Sequence, residues 1–319
     1  MRKVLAIALM ALIVSGCSKT SPMDEARNIG FSSLVARSLI NGTEDLCEQE
    51  IKLYGAYTLD GNTARLFDAE RLYYDASIPA WDYTSTQYWM RGALYHFFAV
   101  CPYSTPCTFS DGRDLVSIPN YEGSAYGEDL LYATAVRDLS IAEDYSTVQL
   151  QFSHACSALQ FNLVNASNSV LIDVRNIYLV GLYNKGTFRF DYEGTPSWTL
   201  EGTPLSANAT LQPFAGVCTL PEGGLPVNLD VEYSLYDGGA LLVLPQTIYK
   251  TDVTLHLEYK KQGDAEYTIK NIQLGRLSSP TVPTEWKAGE KYKYNFNITD
   301  NTITAEVRIV PWVDNYVDL

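Results

Sequence analysis

Few side chains in this sequence are of types that do chemistry, and the one with the clearest setting is Cys17. Arg2 and Lys3 form a positive start, and Val4 to Val14 an apolar run too short to span a bilayer. Val14-Ser15-Gly16-Cys17 then follows the pattern of a bacterial lipobox. Small residues ahead of the cysteine let a signal peptidase close on the chain, after which the thiol takes a covalent lipid. An ordinary secretory signal with a chance cysteine is the plainer alternative. The lipobox reading predicts a signal peptide over residues 1–16 and acyl chains such as palmitate on Cys17, anchoring the product to an outer membrane.

Cysteine chemistry beyond Cys17 is not indicated. Of six cysteines, five remain: Cys47, Cys101, Cys107, Cys156 and Cys218. An odd number cannot complete a disulfide framework. Cys101 and Cys107 bracket a Cys-Pro-Tyr-Ser-Thr-Pro-Cys loop, which fits either one loop-closing bridge or two small buried side chains. There is no CxxC, and no histidine lies near a cysteine pair at zinc-finger spacing, so no metal is expected.

Catalytic constellations are equally hard to assemble. Gly123-Ser-Ala-Tyr-Gly127 places its serine one position early for a GxSxG elbow. The sequence holds no phosphate-binding glycine loop and no HExxH helix. His96, His154 and His256 sit on separate apolar or alternating stretches. His154 reads as a buried structural residue, with no carboxylate beside it in sequence. Glu128-Asp129 and Glu143-Asp144 are adjacent acids of the kind found in solvated loops. The expectation is a non-enzyme with no cofactor other than lipid.

Composition bounds the partners. A 319-residue chain with 46% hydrophobic and 19% charged residues is globular and long enough for two domains. Its net charge of −14 becomes about −16 once Arg2 and Lys3 leave with the signal peptide. Such a balance argues against nucleic acid, whose phosphates need a basic footprint. Tyrosine is frequent, at 23, and β-branched residues are plentiful, which favours sheet.

The elements are strands. Tyr292, Tyr294, Phe296 and Ile298 alternate with polar residues, and Ile303, Ala305, Val307 and Ile309 resume the pattern after Asp300-Asn301. This predicts a β-hairpin with one face on a core. Earlier, Ile29, Phe31 and Val35 mark an extended segment, and Asp60-Gly61-Asn62 a turn. Tyr95 to Tyr103 reads as a fully buried strand stopped by Pro102. The spacing around Glu128 to Ile141 allows a short helix. Ile177–Leu182 and Thr187–Tyr192, joined by Asn184-Lys185-Gly186, read as a hairpin, and Pro221 to Pro226 as a loop. Many short strands with frequent turns predict an all-β chain of two tandem β-sandwiches, residues 38–145 and 146–319, divided near Glu143-Asp144.

Several strings resemble the fimbrillin family, the type V pilins and Mfa-like proteins of Bacteroidales. They are Trp286-Lys-Ala-Gly289, Tyr292-Lys-Tyr294 and Val310-Pro-Trp312, with the Phe-x-Ala-x-x-Pro of Phe97 to Pro102 and Asp129-Leu-Leu-Tyr-Ala133. Leu150-x-Phe-x-His154, Leu159-x-Phe161 and Pro245-Gln246 add to them. The resemblance implies a lipoprotein-derived pilin of two transthyretin-like sandwiches that polymerises by strand exchange and serves adhesion. It implies a trypsin-like processing protease cutting between Arg37 and Ser38, so that residues 17–37, with Ile29, Phe31 and Val35, form a lipidated tether and removable first strand. Arg27 is a second candidate, but a cut there would leave the strand attached. The donor strand would be C-terminal in the next subunit. Only Val313 to Leu319 follow Trp312, so the donor residues are expected among Val307, Ile309, Val313, Val317 and Leu319. Partners would be other pilin subunits and a host or bacterial surface receptor. The alternative is a surface lipoprotein that never polymerises and binds glycan or protein, for instance through Trp81, Tyr83, Tyr88 and Trp89.

Overall fold

Leu59 faces Asn62 across the tight turn of Asp60 and Gly61, both in the left-handed region with φ of 51° and 75°. A two-residue hairpin that matches strand twist requires that backbone, and Asp-Gly supplies it cheaply. The computed structural model describes residues 27–35, 46–111, 115–123, 129–166, 170–206, 211–220, 226–228, 241–277, 282–299 and 302–311. Their regular elements are nearly all strands. The first half holds β1 (Phe31–Val35), β2 (Ile51–Leu59), β3 (Asn62–Asp75), β4 (Ala80–Tyr83), β5 (Leu94–Cys101), β6 (Thr108–Ser110), β7 (Leu115–Glu122) and β8 (Leu131–Asp138). There follow β9 (Val148–His154), β10 (Ser157–Asn165), β11 (Ile172–Val180), β12 (Lys185–Asp191), β13 (Pro196–Glu201), β14 (Leu211–Leu220) and β15 (Pro226–Asn228). The last are β16 (Leu241–Val243), β17 (Gln246–Thr247), β18 (Thr254–Lys261), β19 (Thr268–Gln273), β20 (Glu285–Trp286), β21 (Glu290–Ile298) and β22 (Ile303–Pro311).

Three apolar cores account for the layering. Strands β1-β4-β3-β2-β5-β8-β9 close into a barrel. Phe31, Phe67, Phe97, Leu150 and Phe152 fill its interior. The sheet β13-β12-β7-β6 lies over the barrel's outside, where Tyr54, Phe98, Val116, Phe188 and Phe190 form a second core. This explains the mostly apolar run of β5: Tyr95 and Phe97 face inward while Phe98 and Val100 face the covering sheet. In the C-terminal half, β15-β10-β21-β22 packs on β14-β11-β18-β19 as a sandwich, with Phe161, Tyr294 and Phe296 meeting Ile177 and Leu257.

Several local expectations change. Residues 131–138 form a strand between β5 and β9 rather than a helix, because pairing on both sides outweighs a weak local preference. Residues 177–192 are not a hairpin: β11 belongs to the second sandwich, whereas β12 joins β7 and β13 in the covering sheet. The sheets also disregard the 145/146 border, since β9 completes the barrel and β12 and β13 cover it. Cys101 and Cys107 are unbridged. The residues at 221–225, and the hairpin turn residues 300 and 301, lie outside the described residues.

Candidate assembly site

Strand β1 is the element that turns an open sheet into a barrel. It runs parallel to β9, from Phe31 opposite Val148 to Val35 opposite Phe152, and touches β4 through Phe31 opposite Trp81. Just before it, the Gly30 carbonyl accepts from Val148 N–H at 2.8 Å, and Ile29 N–H donates to the Gln87 carbonyl at 2.9 Å. The Tyr83 hydroxyl donates to the Ile29 carbonyl at 2.7 Å and accepts from Gln87 N–H at 3.2 Å. Burial raises the Tyr83 phenol above its ordinary range, so it remains a donor.

Apolar contact adds to these bonds. Ile29 and Phe31 are both buried. The Phe31 ring meets Phe67, Tyr83 and Phe97 edge to face, with centroids 5.8, 5.8 and 5.5 Å away. Burying two such side chains contributes roughly 1.5–3 kcal/mol each. Without β1, β4 and β9 would each present an unpaired edge over this aromatic interior.

A second cluster pins the barrel to the sandwich. Trp286 Nε1 donates to the Tyr294 hydroxyl at 2.9 Å, and Lys287 N–H donates to the Tyr292 hydroxyl at 2.8 Å. Tyr292 in turn donates toward Glu290, and both phenols are pushed well up by burial. Gly289, at φ 73°, donates its N–H to the Cys156 carbonyl, and Ser157 Oγ donates to the Lys287 carbonyl. The residue types of the Trp-Lys-Ala-Gly and Tyr-Lys-Tyr strings thus make one hydrogen-bonded corner against the β9–β10 connection.

Beside that corner lies a buried pair. His154 Nδ1 is 2.6 Å from Asp129 Oδ2, with side chains 3% and 5% exposed. The carboxylate missing from the sequence neighbourhood of His154 is therefore present in space. Burial, with the Asp129 charge nearby, pushes the Cys156 thiol up to about 12.

The fimbrillin-like family model matches residues 43–312. This chain belongs to the fimbrillin-like family. A search of curated proteins finds no match. Among solved structures, the chain is similar to a fimbrial protein from Bacteroides vulgatus, with 20% identity, a TM-score of 0.60, and coverage of 90% of this chain and 100% of that one. It is also similar to candidate cell adhesion proteins from Bacteroides ovatus (13% identity, TM-score 0.51, 90% and 98% coverage) and Bacteroides uniformis (14%, 0.50, 92% and 100%). At these identities the likeness concerns the fold. Family membership makes the fimbrillin-like chain a pilus-type surface adhesion subunit, from a family that is not one of enzymes.

The positions singled out in the sequence fare unevenly in the fimbrillin-like fold. Ile29 and Phe31 lie in the barrel interior, and the backbone of Val35 pairs with Phe152. Cys17, Arg37, Ser38, Val313, Val317 and Leu319 lie outside the described residues. Val307 is fully buried in the sandwich, whereas Ile309, two residues on, is 53% exposed. Alternation put both on the core face, but β22 is the sheet's edge and its far end runs past the core. Of the aromatic set, Tyr83 and Trp89 are buried, Trp81 is half-buried and packs on the barrel core, and Tyr88 is exposed. They do not form a stacking platform. Sequence reasoning missed Tyr83 as the clasp on β1 and Asp129 as the partner of His154. The aromatic spacing of 81–89 hinted at the first, and nothing local hinted at the second.

Proposed function

We propose that this fimbrillin-like chain is a structural subunit of a type V pilus whose assembly uses the β1 slot. It is exported as a lipoprotein acylated on Cys17, inserted in the outer membrane, and cut after Arg37 by a trypsin-like protease. The cut frees β1, and a strand from a neighbouring subunit fills the vacancy. One observation carries this reading: among the described residues, β1 alone bridges β4 and β9 in an otherwise continuous barrel sheet. An empty slot would expose two unpaired edges and an aromatic interior, so only a strand offering both main-chain bonds and alternating apolar side chains satisfies it.

The burial of Val307 narrows the donor. Releasing β22 would expose Val307 and break its ladder with β21, opening the subunit's own core. The reading therefore places the donor after Pro311, with Val313, Val317 and Leu319 as its apolar positions. The test is limited digestion of the chain lacking its signal peptide. A single early nick after Arg37, followed by SDS-resistant ladders, is expected. A stable monomer that keeps residues 28–37 paired after the nick would refute assembly through this slot.

A further inference from the structure

Among the described residues, the second sandwich has an open side of its own. Strands β19 and β22 end their respective sheets on the same flank, and β19 pairs only with β18 among the described residues. A hollow of about 510 Å³ lies between β19 and Ile303 of β22, and a second of about 570 Å³, beside Tyr249, Lys250 and Thr284, adjoins it through Arg276 and Leu277, so that the two form one trough. Consecutive residues 270–273 of β19 face the first hollow, so it looks onto that strand's main-chain edge. Leu277, Val282 and Ile303 form its apolar floor, where the sandwich core comes half-exposed to the surface.

Its charge is opposite to that of the chain. Although the net charge is −14, the charged side chains lining both hollows are Lys250, Lys270 and Arg276. Asp252 reaches Arg276 at 3.8 Å, but both side chains are largely exposed and so weak a pair leaves the field basic. The backbone is built to hold this arrangement. Lys250 sits at φ 58°, unfavourable for a residue with a side chain, and bonds through its N–H to the Gly275 carbonyl. A Cβ on Gly275 would lie 1.8 Å from the Ile248 carbonyl oxygen, so the two turns meet as closely as backbone allows. The strained turn sets the Lys250 ammonium 4.9 Å from the Tyr249 ring at the mouth of the trough.

We propose that this trough is a docking site for an extended acidic polypeptide segment that adds as a strand to the edge of β19. Main-chain bonds to β19 hold the segment, its carboxylates meet Lys250, Lys270 and Arg276, and an apolar side chain settles on Leu277, Val282 and Ile303. The site is separate from the β1 slot and available while β1 is in place.

The test uses the full chain with β1 uncut and fluorescence anisotropy of a labelled peptide alternating Val and Asp. Binding is expected to weaken with salt, and to weaken at least about tenfold when Lys replaces Asp in the peptide or when the protein carries Lys270→Glu with Arg276→Glu. Both substituted residues are exposed, and circular dichroism verifies that the variant keeps its fold. A peptide N-methylated at alternate positions keeps its charge but loses donors and should fail to bind. No binding at millimolar peptide, equal binding by the charge-reversed variant, or equal binding by the N-methylated peptide would overturn the proposal. Tight binding of polyglucuronate with none of the peptide would also overturn it, in favour of an anionic glycan.

Discussion

Replacing Phe31 with Ala tests whether β1 is a structural strand or a tail resting on the barrel. Phe31 is 5% exposed and touches three aromatic rings, so truncation removes its transfer energy and leaves a cavity walled by Phe67, Tyr83 and Phe97. Phe→Ala changes of this kind cost about 3–5 kcal/mol. The loss has a ceiling, however. Burial of Ile29 and Phe31 together contributes roughly 3–6 kcal/mol to docking the segment. Removing Phe31 therefore brings β1 close to release, and peeling the strand becomes cheaper than keeping the cavity. The expected outcome is a urea midpoint lowered by about 3 kcal/mol equivalent, with loss of hydrogen-exchange protection over residues 29–35 and early trypsin cutting after the flanking Arg27. Ser32→Ala, at a half-buried serine on the same strand, should stay within about 0.5 kcal/mol of the parent. A Phe31→Ala protein that unfolds within about 0.5 kcal/mol of the parent, with amides 29–35 still protected, would refute the claim that β1 completes the core.

Trp286→Phe should cost about 1–3 kcal/mol in thermal or urea unfolding, because it leaves the buried Tyr294 hydroxyl without its donor. Asp129→Ala should destabilise by about 1–3 kcal/mol, and a double-mutant cycle with His154→Ala should return a coupling above about 0.5 kcal/mol. Zero coupling would mean that the two side chains are merely neighbours. The Cys156 thiol, raised by burial, should resist iodoacetamide at pH 8 in the folded protein and react once unfolded. The same shift gives a pH dependence: below about pH 9 both states hold the proton, and between about 9 and 12 only the unfolded state releases it. Stability should therefore fall as pH rises through that window, by up to about 1.4 kcal/mol per pH unit from this group. A flat profile from pH 9 to 10 would contradict the buried setting of Cys156.

How far the sequence could be read depended on how local each feature is. The alternation of Tyr292 to Ile298 and the Asp60-Gly61 turn were legible because side-chain parity and positive φ are properties of a few adjacent residues. The all-β class followed from many such segments together. Reading Ile177 to Tyr192 as a hairpin failed for a different reason. Lys185 and Gly186 already begin β12, and nothing in Asn184-Lys185-Gly186 states whether that strand pairs with β11 or with β7.

By itself, then, the sequence determined the strand content, the places of several turns, the apolar face of the last hairpin and the absence of recognised catalytic or metal-binding motifs. Each is set by neighbours along the chain. Tertiary structure alone decided that β1 lies parallel to β9, that Asp129 meets His154, and that Tyr83 clasps Ile29. Partners separated by 25 to more than 100 residues are chosen by which arrangement buries most apolar surface with every main-chain group paired. That choice is made by the whole chain at once.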